Sequence, residues 1–260
     1  MKALIDTTAA LITHQIICQN ENDIRIALSY IKNAAGLRIV SFLNKDAIIV
    51  AQHHQKFCNA LKQADFLFRD GIGLEIIMKC AKLEPGLNMN GTDLIPRIIS
   101  MYSPDDTIAL YGSSETALSG SKIALYSKGY SKVEALDGFK KTSVYLSHLQ
   151  KSSARLIVLG MGMPKQELVA QAIKDTPEFQ SRDMVVINGG AIIDFMGGKV
   201  TRAPKWIRRA RLEWVYRTYK EPIRLLWRTL STIPLLAKAY MVSAQLKQRV
   251  NKIKETVKHD

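Results

Sequence analysis

Short uninterrupted apolar runs alternate with longer amphipathic stretches along the first two hundred residues. The runs IVSFL, TIALY, LIVLG and MVVIN show no polar alternation, the pattern of strands covered on both faces. Strands are predicted at Arg38–Leu43, Asp65–Phe68, Thr107–Tyr111, Lys132–Leu136, Arg155–Leu159 and Met184–Ile187. Helical periodicity falls between them, at Asp23–Lys32, Asp46–Gln63, Gly73–Lys82, Ser114–Ser127, Lys141–Lys151 and Lys165–Lys174. A further helix, capped by Thr92 or Asp93, runs to Met101. Strands alternating with helices in this way imply βαβ units and a mostly parallel sheet, an α/β fold. Residues 2–18 hold two short apolar runs around Asp6-Thr7-Thr8 and read as a β-hairpin. After Pro204 only helical patterning remains, divided by Pro222 and Pro234 into Lys205–Tyr219, Ile223–Thr232 and Leu235–Lys258.

Charge sharpens this division. Residues 199–260 carry sixteen Lys and Arg against four Asp and Glu, a net +12 of the chain's +14. A near-neutral α/β body (residues 1–200) is thus followed by a cationic helical appendage (residues 201–260), which implies an anionic docking partner. With 260 residues and 47% hydrophobic content, the chain can bury a large core and is not disordered. Cys18, Cys58 and Cys80 fit neither a disulfide framework nor a metal site, which points to a reducing cytosol. No cleavable leader is apparent, and no apolar window is long enough to span a bilayer.

In a parallel α/β sheet, ligands bind at the carboxyl ends of the strands. Five such ends carry candidate chemistry: Asn44; Asp70 with Gly71; Gly112 with Ser113 and Ser114; Gly160 to Glu167; and Asn188 to Gly190. Glycines there let backbone N–H groups approach a phosphate, or simply make tight turns. Their clustering on one edge suggests a nucleotide or nucleotide sugar. Asp70 reads either as a general base or as the N-cap of the helix near Gly73. Asp194 sits in an apolar context and reads as the anchor of its turn. His53 and His54 lie mid-helix without a carboxylate at ligand spacing, and no Asp-x-Asp metal motif occurs. The run Gly160 to Lys165 mimics a dinucleotide fingerprint but lacks its third glycine, which leaves a nucleotide-dependent oxidoreductase as the alternative class.

The appendage interleaves Trp206, Trp214, Tyr216, Tyr219 and Trp227 with Arg202, Arg208, Arg209, Arg211, Arg217, Arg224 and Arg228. Aromatics beside cations suit either a membrane interface or nucleic acid. Bulky apolar residues such as Leu225, Leu226, Leu235 and Leu236 favour the membrane, since a phosphate-backbone binder has no use for them.

The blocks ADFLFRDGIGLE, NGTDL, LGMGMPKQE, GGAIIDFMGGKVTRAPKW and LEWVYRTYKEPIRLLWR follow one another in order between about Asn44 and Arg228. Together they resemble the WecG/TagA/CpsF family of bacterial glycosyltransferases. The resemblance implies a Rossmann-like body and inverting sugar transfer with neither cofactor nor active-site metal. The donor would be a UDP-sugar (N-acetylmannosamine, its uronic acid or glucose) and the acceptor a glycan on a polyprenyl-pyrophosphate carrier. It further implies peripheral attachment to the cytoplasmic face of the bacterial inner membrane, with self-association possible before docking. By motif position the catalytic base falls on Asp70, with Asn44 beside it. Substrate contacts fall on Gly71, Gly112, Gly160, Gly162, Gln166, Glu167, Asn188, Gly189, Gly190, Arg202, Arg217 and Arg224. Membrane contacts fall on Arg208, Arg209, Trp214, Trp227 and Arg228. The chain departs from the family pattern at Asn88, where arginine is common, and at Ile193, Arg211 and Trp227. The first of these removes a cation expected near the donor diphosphate.

Overall fold

A computed structural model describes residues 2–33, 35–204, 206–207, 215–216, 219, 234, 237 and 240–259. Its centre is a six-stranded sheet of β1 (Leu37–Leu43), β2 (Phe66–Arg69), β3 (Ile108–Gly112), β4 (Val133–Leu136), β5 (Leu156–Gly160) and β6 (Met184–Asn188). The strand order is β2-β1-β6-β5-β3-β4, and every pairing is parallel. All strand carboxyl ends therefore share one edge.

The apolar runs are strands buried on both faces, and their side chains divide with a period of two. In β5, Leu156 and Val158 join one core with helices α2 (Glu21–Asn33), α6 (Gly91–Ile99), α7 (Glu115–Tyr126) and α11 (Ile192–Met196). Ile157 and Leu159 join the opposite core with α8 (Thr142–Lys151), α9 (Lys165–Lys174) and α10 (Pro177–Gln180). A third cluster gathers α1 (Lys2–Thr13), α3 (Lys45–His53), α4 (Gln55–Lys62), α5 (Ile72–Cys80) and α12 (Ser243–His259) around Leu43 and Leu67.

Several expectations are corrected. Residues 2–13 form a helix, not the arm of a hairpin. Ile5, Thr8, Ala9 and Ile12 are all buried, a helical stripe at i, i+3, i+4 and i+7. Ile16 makes an isolated parallel bridge to Phe68. The helix expected over Asp46–Gln63 is two helices that break at His54, which leaves helical backbone (φ −135°, ψ 88°) and caps α4 by accepting from Phe57 N at 3.1 Å. Helix α6 is capped by Asn90, whose Oδ1 accepts from Asp93 N, so neither Thr92 nor Asp93 is the cap. Helices α10 and α11, each under two turns, had no periodicity to betray them.

Helix α12 lies along α1. Val242, Leu246 and Val250 are buried in the third cluster, and Arg249 pairs with Asp6 at 2.7 Å. Cys18 and Cys58 are buried, and all three cysteines are free.

Candidate functional site

A cleft of about 710 Å3 opens at the carboxyl edge of the sheet. Asn44, Asp70, Ser113, Gly160 and Asn188, each at or just past the end of a different strand, contribute to its lining. Gly91 and Thr92 from the start of α6 complete one side, and Phe139, from the loop after β4, is 81% exposed at its lip.

On the β1–β2 side the backbone is tightly stitched. Asp70 N–H donates to Leu43 O at 2.8 Å, which ties the end of β2 to that of β1. The N-cap position of α5 falls on Gly71, which has no side-chain cap bond, so Asp70 does not fill the capping place that its spacing allowed. Gly71 N–H instead donates to Asn88 Oδ1 at 2.8 Å. Asn88 is thus a brace for the turn that carries Asp70. Arg69, 3% exposed, reinforces the same turn: Nε donates to Pro85 O, Nη1 to Gly71 O and Nη2 to Gly86 O, each within 3.0 Å. Its charge is matched by Glu75 at 3.3 Å. Asn44 caps α3, its Oδ1 accepting from Ala47 N at 2.9 Å, while the residue still borders the cleft.

On the β5–β6 side two glycine turns meet over one side chain. Gln166 Oε1 accepts from Gly162 N at 3.2 Å and from Gly190 N at 3.1 Å. Gln166 Nε2 donates to Glu167 Oε1 at 2.8 Å. Gln166 and Glu167 are buried, as is Asn188, whose Nδ2 donates to Ser41 Oγ at 2.7 Å. Burial raises the Glu167 carboxyl from 4.5 to about 7, against the lowering pull of Gln166. Gly189 N–H bonds Leu159 O. The N–H groups of Gly71, Gly162, Gly189 and Gly190 therefore all have acceptors within the protein, and these glycines shape the turns. Gly112 does not line the cleft; it permits close strand approach, since a Cβ there would stand 2.3 Å from the Gly160 carbonyl carbon. The first-turn N–H groups of α7 have no intrahelical acceptor, and Ser114 at its cap makes no side-chain cap bond and borders the cleft.

Asp194 anchors its turn: it accepts from Ser113 Oγ at 2.5 Å and lies 3.6 Å from Lys199 Nζ, which also borders the cleft. Arg202 pairs with Asp93 at 2.6 Å and so fastens the segment after α11 to the start of α6. Arg208, Arg209, Trp214, Arg217, Arg224, Trp227 and Arg228 lie outside the described residues. Trp206 and Tyr219 are 69% and 81% exposed. Among the described residues no group of three or more His, Cys, Asp or Glu is disposed to hold a metal ion.

Asn88, Phe139 and Lys199 escape a reading of strand ends alone. Asn88 and Phe139 lie in loops, and only the Asp137-Gly138 pair after β4 hints at a turn near the edge.

The profile of the Glycosyl transferase WecG/TagA/CpsF family matches residues 17–251. A curated relative, the N-acetylglucosaminyldiphosphoundecaprenol N-acetyl-beta-D-mannosaminyltransferase of Bacillus subtilis (strain 168), is 25% identical over 221 residues, covering 80% of each chain.

Proposed function

Because the chain belongs to the WecG/TagA/CpsF family of glycosyl transferases, we propose that it moves a hexose from a UDP-sugar to a glycan on a polyprenyl-diphosphate carrier, with Asp70 as the base. The observation that carries this reading is the position of Asp70: a carboxylate on a braced turn, bordering the same cleft as Asn44 and, on the far side, the glycine turns and the start of α7. In the reaction the acceptor hydroxyl oxygen attacks the anomeric carbon and the bond from that carbon to the UDP oxygen breaks. The hydroxyl proton passes to Asp70. A single displacement of this kind inverts the anomeric centre. UDP leaves with added negative charge, which suits the α7 N-terminus, Lys199, and the cations Arg202, Arg217 and Arg224.

The name of the Bacillus relative supports an N-acetylmannosamine-type donor over its uronic acid or glucose, and a polyprenyl-diphosphate acceptor. Asn88, uncharged, leaves the diphosphate with one cation fewer. We assign no metal to the reaction. Among the described residues no helix is long and apolar enough to cross a membrane. The basic, aromatic-laced stretch after Pro204 fits an anionic bilayer surface better than nucleic acid, and the lipid-linked acceptor in the relative's name supports peripheral attachment to a membrane, which we assign to the cytoplasmic face of the inner membrane. The family match weighs against the oxidoreductase alternative.

A thermal-shift panel tests the donor class. UDP and one UDP-hexose are expected to raise the melting temperature, with a stabilisation of about 2.7 kcal/mol at a ligand concentration one hundred times Kd; NAD and NADP are expected to leave it unchanged. A rise with NAD(P) and none with any UDP compound, in the presence of anionic vesicles, would overturn the assignment.

A further inference from the structure

The Gln166 amide is the point where the two central turns of the cleft floor are joined. One oxygen receives both N–H groups, from Gly162 after β5 and from Gly190 before α11. Both glycines have left-handed backbone (φ +78° and +57°), and nothing lies within 4 Å of where a Cβ would stand. They are therefore demanded by the turn conformation rather than by crowding, and the space before them is open. Backbone pairing between β5 and β6 ends at Leu159 and Asn188, so beyond that point Gln166 bridges the two loops.

A primary amide keeps its shape when turned over, so shape alone does not fix which end faces the glycines. Turned over, Gln166 would set its NH2 against two N–H donors and its oxygen against the oxygen of Glu167. In the observed orientation Nε2 donates to Glu167 Oε1 at 2.8 Å. Gln166 and Glu167 are 4% and 3% exposed, and Glu167 Oε2 has no partner among the described residues. Mismatched contacts at such a buried site go uncompensated by water.

We propose that Glu167 is a positioning residue for the transfer reaction: by accepting the Gln166 Nε2 hydrogen it holds the amide in the one orientation whose oxygen ties the Gly162 and Gly190 turns together. Its consequence for catalysis rests on the glycosyl-transfer reading; the tie itself does not.

The test pairs amide hydrogen exchange at Gly162 and Gly190, which needs no substrate, with transfer kinetics. The variants are Glu167→Gln, Glu167→Leu, Gln166→Ala and the double variant Gln166→Ala/Glu167→Leu. Glu167→Gln retains an acceptor oxygen and is expected to keep both amides protected, with kcat/KM within about threefold of the parent. Glu167→Leu is expected to lose protection at both amides and to lower kcat/KM by about 30- to 100-fold through misplacement of the turns. In the Gln166→Ala background the same leucine is expected to add nothing. Equal losses from leucine with and without Gln166 would overturn the proposal, as would unchanged protection in Glu167→Leu. If the leucine variant does not fold, Glu167→Gln decides: loss of protection in that variant overturns the proposal and retention supports it. A parent protein that turns over no UDP-sugar would count against the reaction, while the exchange data would still decide the tie.

Discussion

Asp70, Asn88 and Glu167 differ in how much their neighbours in sequence reveal. Asp70 sits between a strand and two glycines, so its place at a ligand-facing edge is legible. Asn88 is not legible, because its partner Gly71 lies seventeen residues away and no local pattern links a loop amide to a distant backbone N–H. The glycine turns were legible as turns, but not the fate of their N–H groups, since the acceptor of Gly190 is Gln166, twenty-four residues back. Glu167 carries a pH signature. Its carboxyl is raised by burial from 4.5 to about 7 in the fold. The folded state therefore holds the proton more tightly than the unfolded chain. The resulting stability is fully present below about pH 4.5 and is lost as pH rises through about 7. Urea denaturation between pH 4.5 and 7.5 is expected to show the parent losing about 3 kcal/mol relative to Glu167→Gln. A pH-independent difference between the two would contradict this.

Elements were legible where they were long and regular. The buried strands and Lys165–Lys174 lie where their apolar patterns put them. The failures share a cause, which is that tertiary partners decided the outcome. Two short apolar runs around Asp6-Thr7-Thr8 suggested a β-hairpin, yet α1 is helical and its stripe packs on α12, more than two hundred residues later in the chain. The α3–α4 break occurs at His54, whose side chain caps α4. The strand edge also sets limits. At Gly112 (φ +147°) any side chain would meet the Gly160 backbone. Gly112→Ala is expected to destabilise the protein by about 3 kcal/mol through overpacking, measured by thermal or urea unfolding. Stability equal to the parent's would show that the β3 and β5 ends separate freely.

At the scale of the whole molecule, the charge division was plain in the sequence, but not how the far end of the cationic stretch is fixed. Arg202 pairs with Asp93 at the start of α6, and at the far end Val242, with Leu246 and Val250 of α12, is buried against the body. Removing everything after Arg202 therefore strips α1 of its cover as well as removing the cations. Leu246→Ala is expected to cost about 3 kcal/mol in denaturant titration, and no loss would mean that α12 does not hold to the body in solution. Binding to anionic vesicles is expected to weaken steeply between 50 and about 500 mM salt as the Debye length shrinks; a salt-independent affinity would argue against electrostatic docking.

The central claim, that this cleft transfers a hexose from UDP to a lipid-linked acceptor with Asp70 as base, is met most directly by one assay. Radiolabelled UDP-N-acetylmannosamine, UDP-N-acetylmannosaminuronate and UDP-glucose would each be offered with a polyprenyl-diphosphate-linked sugar in anionic vesicles, to the parent protein and to Asp70→Asn. Label entering the lipid from one donor, with a rate about 10²- to 10⁴-fold lower in Asp70→Asn and UDP binding unchanged, is the expected result. Transfer undiminished by Asp70→Asn, or none from any UDP-sugar, would contradict it.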